Sequence, residues 1–295
     1  MILLTGTGGF IGQHLLRAVE VSYPRTQVVV LSFSGQGNHP RAFLGGSSID
    51  LANIPSLPIT TVIHAGAFAP KSCGEENDWI SASRNIETTS LLLRRLPATV
   101  SSFVFLSTID VYGTSNEEIT ERTEVCPRSL YGHSKHYCEE MISTWSHNRR
   151  NAVQVLRLGH VYGPGEDAYQ KLIPSTIRAC LSGASPAIFG NGRDKRTFLY
   201  VRDCVKAILA AAELTESAGV INLVGDDPIS VLDLVAKIRG ATRSSLAATF
   251  LPSDAPVRDL VFDNRKTKRH LLSTLTPLDA GLAAEVEHIR RLMNQ

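Results

Sequence analysis

The feature that most constrains this chain lies in its first twelve residues. An apolar run, Met1-Ile2-Leu3-Leu4, leads without interruption into Thr5-Gly6-Thr7-Gly8-Gly9-Phe10-Ile11-Gly12. A segment with apolar residues at helical spacing follows, over residues 10–21. Strand, glycine turn and helix in that order begin a βαβ unit, because only glycine lets the backbone turn tightly and lets a helix lie close on the strand it follows. The glycines stand as GxxGxxG at Gly6, Gly9 and Gly12. Such a turn exposes backbone N–H groups beside a helix N-terminus, where negative charge is favoured. The loop therefore predicts a pyrophosphate cradle, and with it a dinucleotide.

The pattern continues in the same style. Residues 27–31 (QVVVL), 61–64 (TVIH), 103–107 (FVFLS) and 153–158 read as buried strands. Helices are expected over residues 79–96 and 131–146. Alternating strands and helices of these lengths predict a doubly wound parallel sheet, a Rossmann α/β fold. Beyond Gly163 the elements shorten between Pro164, Pro174 and Pro186. Helices are expected at 172–181, 203–214 and 231–238, and strands at 187–189, 220–223 and 249–251. This predicts a dinucleotide-binding domain over 1–163, rejoined by residues around 203–225, and a smaller mixed α/β substrate lobe over 164–295. The basic run 265–270 reads as a solvated helix face.

Composition removes some functions. A net charge of +2 among 295 residues gives no electrostatic case for nucleic acid or an anionic membrane. No apolar run approaches the roughly 20 residues of a membrane span. The first strand begins at the second residue, which leaves no room for a signal or transit peptide, so a cytoplasmic setting is expected. Cys73, Cys126, Cys138, Cys180 and Cys204 are scattered and form no CxxC pair, so neither disulfides nor a metal site is expected.

Ligands of open α/β sheets sit at the carboxyl ends of the strands. At the end of the second strand an acid would accept a bond from the adenosine ribose 2′-hydroxyl and repel a 2′-phosphate. Ser32 stands there instead, and no Lys or Arg follows until Arg41. The choice between NAD and NADP stays open on this reading. The strand over 103–107 leads into Ser107-Thr108-Ile109-Asp110-Val111-Tyr112-Gly113, and Tyr131-Gly-His-Ser-Lys135 opens a helix. Four residues apart, Tyr131 and Lys135 share a helix face. A phenol with a reference pKa near ~10 needs a nearby cation to act as an acid/base at neutral pH, and Lys135 is expected to lower it.

These segments, in this order, resemble the extended short-chain dehydrogenase/reductases, and within them the epimerase/dehydratase group that modifies nucleotide sugars. TGTGGFIG resembles its cofactor loop, Asp50-Leu51 its adenine-contacting pair, and His64-Ala65-Gly66-Ala67 a segment beside the cofactor. Asn85 matches an asparagine of the next helix. STIDVYG, Thr120-Glu121, and Pro127 through Tyr131 and Lys135 follow its active-site block. Residues 157–165 (RLGHVYGPG) and 190–203 follow its later segments.

The resemblance implies Tyr131 as general acid/base, Thr108 orienting the sugar, and Lys135 binding ribose. It implies cofactor contacts at Gly6, Gly9, Phe10, Ile11, Gly12, Ser32, Asp50, Leu51, Ala65, Gly66, Ala67, Asn85, Leu158, His160 and Val161. Arg196 and Arg258 would meet the substrate diphosphate, with Asp110 near the sugar. It departs where dehydratases of the group carry an acidic pair or a Glu after the Thr: Ile109 fills the first place and Asp110 the second. The resemblance implies C4 epimerisation of a nucleotide sugar through a keto intermediate, ahead of 4-ketoreduction with NADPH and, third, 4,6-dehydration. It also implies a homodimer through the helices at 79–96 and 131–146.

Overall fold

The computed structural model describes residues 1–33, 41–113, 117–147, 149–166, 169–253 and 259–294. Strand β1 (Ile2–Thr5) runs into α1 (Phe10–Ser22), and β2 (Val28–Ser32) returns parallel to β1, with Thr5 opposite Leu31. A short antiparallel hairpin follows, β3 (Arg41–Leu44) and β4 (Ser47–Ile49). The chain then crosses to the other side of β1 with β5 (Thr61–His64), α2 (Trp79–Arg95), β6 (Ser102–Thr108), α3 (Leu130–Ser146) and β7 (Ala152–Leu158).

After β7 come β8 (His160–Tyr162), α4 (Leu172–Leu181), β9 (Ala187–Phe189), β10 (Lys195–Arg196) and β11 (Phe198–Tyr200). Helix α5 (Val201–Glu213) leads to β12 (Gly219–Leu223), which adds to the main sheet beside β7. The remainder holds β13 (Ile229–Ser230), α6 (Val231–Thr242), β14 (Thr249–Leu251), α7 (Arg265–His270) and α8 (Leu278–Met293).

The main sheet has eight strands in the order β12-β7-β6-β5-β1-β2-β3-β4. It is parallel except for the β3–β4 hairpin at one edge. Its strands are apolar on both faces, as a doubly covered sheet requires. One face packs Leu4, Val104, Leu156 and Ile221 against Leu15 and Val19 of α1 and Cys204 and Ile208 of α5. The other packs Leu3, Val62, Phe103 and Phe105 against Leu92 of α2 and Cys138 and Ile142 of α3. The direction of winding reverses between β1 and β5, and there the carboxyl ends of the strands open a crevice.

The expected doubly wound sheet is therefore present. The β3–β4 hairpin, the short strands β8, β10, β11 and β13, and helix α8 were not among the elements expected. The β3–β4 hairpin has strands of four and three residues, too short for an alternating pattern. Helix α8 buries Leu282, Val286 and Ile289 against the substrate-side helices.

Candidate active site

The phosphate loop is shaped by close backbone packing. Gly6 has φ +74°, and a Cβ there would lie 2.5 Å from the Gly66 nitrogen. A Cβ on Gly12 would lie 1.9 Å from the Gly6 carbonyl oxygen, so α1 can start this close to β1 only with glycine. Gly9 precedes α1 without a side-chain cap, and the first turn carries no acid. The N-terminal donors of a thirteen-residue helix are thus left open toward a cleft of about 1670 Å³. This cradle fits a pyrophosphate in both space and charge.

The cleft runs from this loop to the ends of β6 and β7. Gly6, Gly9, Phe10, Ile11, Gly12 and Ser32 line one end. Ala65, Gly66, Ala67 and Asn85 line its side, and Leu158, His160 and Val161 the far wall. Thr108, Asp110, Tyr131 and Lys135 meet in the same space. Asp50 and Leu51 are not among the lining residues; the Asp50 carboxylate instead accepts from the Ala52 N–H at 2.9 Å, capping a short helical turn. Arg196 also stands off the wall, in β10, with Asp194 4.0 Å away. Arg258 lies outside the described residues.

Two threads of hydrogen bonds hold the site. In the first, the buried His64 imidazole joins β1 to α2. The Thr5 hydroxyl lies 2.7 Å from its Nδ1, and its Nε2 lies 2.9 Å from the Thr89 hydroxyl. The Thr89 hydroxyl donates to the Asn85 carbonyl at 2.8 Å, so it must accept from His64 Nε2–H. Thr5 then donates to His64 Nδ1 and accepts from the Gly66 N–H at 2.7 Å. Burial, helped by the Lys135 charge, pulls the His64 pKa down to about 3, consistent with this neutral tautomer. The Asn85 amide accepts from Phe68 N–H at 2.7 Å and donates to the Ser134 hydroxyl at 3.0 Å, tying the loop after β5 to the helix that carries Tyr131.

The second thread is a buried ion pair. Arg157 of β7 donates twice to Glu139 of α3, at 3.0 and 2.7 Å, and the Ser107 hydroxyl donates to the same carboxylate. The guanidinium carbon sits 4.7 Å from the Tyr112 ring centroid, and the Tyr112 hydroxyl donates to Asn222 of β12 at 2.7 Å. The end of β6, where Thr108 projects, is thus fixed from three sides.

Tyr131 lies in the first turn of α3, whose N-cap Ser129 accepts from the Gly132 N–H at 3.0 Å. The phenol is buried, 6.3 Å edge-to-face from Phe68. Its pKa is raised, first by burial and then by the charge of Asp110; a hydrogen bond with Thr108 offsets part of the rise. This differs from the expectation that Lys135 lowers it. The Lys135 ammonium instead donates to the Leu106 carbonyl and lies 4.2 Å over the Phe105 ring, directed at the sheet. Burial brings Lys135 down to about 8.

Asp110 accepts from the Thr108 hydroxyl at 3.1 Å. Its carboxylate opens on the cleft but is enclosed by protein elsewhere, and this enclosure, followed by the Glu76 charge, raises its pKa. Ile109, at the place of the first acid, is buried.

The sequence reading did not single out Tyr169 or Lys171. Both line the cleft, with the Lys171 ammonium 4.6 Å over the Tyr169 ring. Tyr169 also acts on the Tyr131 phenol. No local motif marks them. His160 is held neutral by burial and by the charges of Arg196 and Lys171, at about 3.

A glycine cradle at the turn of a doubly wound sheet, with a Thr–Tyr–Lys cluster at the ends of its strands, defines a dinucleotide-dependent oxidoreductase-type site. A sequence model of the NAD dependent epimerase/dehydratase family matches residues 2–224, and the chain belongs to that family. It is an enzyme family. An uncharacterised UDP-glucose epimerase of Bacillus subtilis is 26% identical over 99% of this chain and 98% of the relative. A UDP-N-acetyl-alpha-D-glucosaminuronate decarboxylase of Bacillus cytotoxicus is 26% identical over 85% of this chain and 83% of the relative. A crystal structure of UDP-glucuronic acid 4-epimerase from Bacillus cereus, in complex with UDP-glucuronic acid and NAD, superposes with a TM-score of 0.80 at 27% identity, over 99% of each chain.

Proposed function

We propose that this chain is a nucleotide-diphosphate-sugar epimerase acting at C4 through a transient keto sugar. The observation that carries the reading is the meeting of the Thr108 and Tyr131 hydroxyls in one cleft with the glycine cradle. The relatives that act on UDP-glucose and UDP-glucuronic acid support the substrate class.

Tyr131 takes the proton of the C4 hydroxyl and later returns it. Thr108 holds the C4 oxygen in line with the phenol, and Asp110 holds Thr108. A nicotinamide dinucleotide held by the glycine cradle would supply reversible hydride exchange at C4, for which Thr108 and Tyr131 hold the sugar. Lys135 sits one helical turn from Tyr131 and would bind the nicotinamide ribose on leaving the Leu106 carbonyl. Lys171 lines the cleft and, with Arg258, would receive the diphosphate, whereas Arg196 stands off the wall.

A second reading, 4-ketoreduction with NADPH, is favoured by one observation, the hydroxyl of Ser32 where an acid would exclude a 2′-phosphate. Dehydration ranks lower because Ile109 replaces an acid and is buried.

The test is incubation with UDP-glucose, UDP-N-acetylglucosamine and UDP-glucuronic acid without added reductant, followed by NMR of the sugar protons. The expected result is a C4 epimer from at least one of them, with Tyr131→Phe slower by about 100-fold or more and cofactor affinity retained. Conversion that depends stoichiometrically on NADPH, or full turnover by Tyr131→Phe, refutes the reading.

Two further parts of the proposal concern setting. Trp79, Ile80 and Tyr137, on α2 and α3, are 70%, 66% and 55% exposed, and this apolar surface supports pairing of two copies through these helices. All five cysteines are free thiols, which suits a reducing compartment such as the cytoplasm. No helix among the described residues is long and apolar enough to cross a membrane.

A further inference from the structure

We propose that Ser107 and Glu139 are positioning residues for the reaction: their hydrogen bond fixes the end of β6 against α3, and so fixes where the Thr108 hydroxyl stands relative to the Tyr131 phenol. The inference rests on the reading above in one respect, that Thr108 and Tyr131 act together on one sugar oxygen.

Tyr131, Lys135 and Glu139 follow one another at intervals of four, so they share one face of α3. All three are buried. Leu106, Ser107 and Thr108 are the last three residues of β6. The two sets are joined one to one. The Lys135 ammonium donates to the Leu106 carbonyl, the Ser107 hydroxyl donates to the Glu139 carboxylate, and the Thr108 and Tyr131 hydroxyls are hydrogen-bonded. Lys135 would leave Leu106 for the ribose of a bound dinucleotide, so the tie at Ser107 is the one that persists beside the reacting pair.

That tie is braced by the sheet. Ser107 pairs directly with Arg157 of β7, and Arg157 donates to the same carboxylate at 3.0 and 2.7 Å. Glu139 therefore grips two neighbouring strands at one level. A carboxylate and a guanidinium enclosed by protein lose hydration that their attraction only partly returns, so the pair is a weak source of stability. What it supplies is direction. Phe103 and Phe105, on the same face of β6 as Ser107, meet α3 through Cys138 and Ile142. Such apolar contact is non-directional, whereas a charge-assisted hydrogen bond fixes a distance and an angle. Ser107 adjoins Thr108, so a slip at one moves the other, and a misplacement of about 1 Å at a reacting group can cost about 100-fold in rate.

The experiment is steady-state kinetics of the full chain, with whichever of UDP-glucose, UDP-N-acetylglucosamine and UDP-glucuronic acid the wild type converts. Ser107→Ala leaves both Arg157 bonds to Glu139 in place, so the fold is expected to hold. It should lower kcat by about tenfold or more while KM for the sugar and the affinity for NAD⁺ stay within about threefold. In a Thr108→Ala background the same change should cost less than about twofold, because the hydroxyl it positions is gone. A kcat for Ser107→Ala within about twofold of the wild type, an equal loss in both backgrounds, or a parallel loss of NAD⁺ affinity overturns the proposal and leaves the epimerase reading standing. A wild type that converts none of the three sugars overturns both.

Discussion

At the scale of single residues, the site stores its chemistry in groups that the fold would rather not bury. Lys135 is the clearest case. Its ammonium is enclosed, and enclosure has pulled its pKa to about 8 from the usual 10.5. At neutral pH the group is still charged, so the folded state carries a desolvation cost of about 3 kcal/mol, relieved only as pH rises from about 8 toward 10.5. The Leu106 carbonyl and the Phe105 ring offset part of it. Replacing Lys135 with Met, which matches the stem without the charge, should therefore stabilise the protein at pH 7 by about 1–3 kcal/mol. The same change should slow turnover by about 100-fold or more. Chemical denaturation and a rate assay read the two effects. A Met variant less stable than the wild type would mean that the Leu106 bond and the ring contact outweigh the burial of charge.

At the scale of elements, what could be read in the sequence depends on length and on whether the partner is local. The β1–α1 turn is legible because its glycines fall in one short run between a strand and a helix, with Gly12 packed directly on Gly6. The Tyr131–Lys135 spacing is legible because one helix sets it. The β3–β4 hairpin is not, because strands of four and three residues leave no periodic signal. Tyr169 and Lys171 reach the cleft only through the tertiary path of the segment before α4. The buried Arg157–Glu139 pair joins a strand to a helix eighteen residues away, and charges of this kind give no pattern. Helix α8 is a different case: Leu282, Val286 and Ile289 recur at helical spacing, so its signal is present in the sequence.

The proposed dimer belongs to the same scale. Helices α2 and α3 leave a groove of about 580 Å³ between them, lined by Leu93, Tyr137, Met141 and Trp145. Tyr137, on its rim, is exposed, and an apolar groove with an exposed aromatic beside it suits a partner surface. Tyr137→Asp places a charge in that groove. It should convert a micromolar solution from dimer to monomer in sedimentation velocity, with far-ultraviolet circular dichroism unchanged. A wild type that sediments as a monomer at that concentration refutes the pairing.

At the scale of the whole molecule, buried His64 and half-buried His160 make stability depend on pH well above the carboxylate range. His64 and His160 have an ordinary value of 6.5 and are both held down to about 3 in the fold. Below pH 6.5 the unfolded chain takes up a proton at each of them and the folded chain does not. Stability is therefore complete above about pH 6.5 and is lost as pH falls toward 3, by about 1.4 kcal/mol per pH unit for each fully buried imidazole. His64 is sealed beneath the sheet and should contribute fully, whereas His160 borders the cleft and should contribute less. Asp110 acts in the opposite sense, because its raised pKa lets the folded state bind a proton first. Urea unfolding should show a loss of about 3 kcal/mol between pH 7 and pH 5. His160→Asn should lose less over the same interval than the wild type, since only His64 then remains to be protonated on unfolding. Equal stability at the two pH values would mean that the folded protein protonates these imidazoles, and the tautomer assigned to the Thr5–His64–Thr89 thread would fall with it.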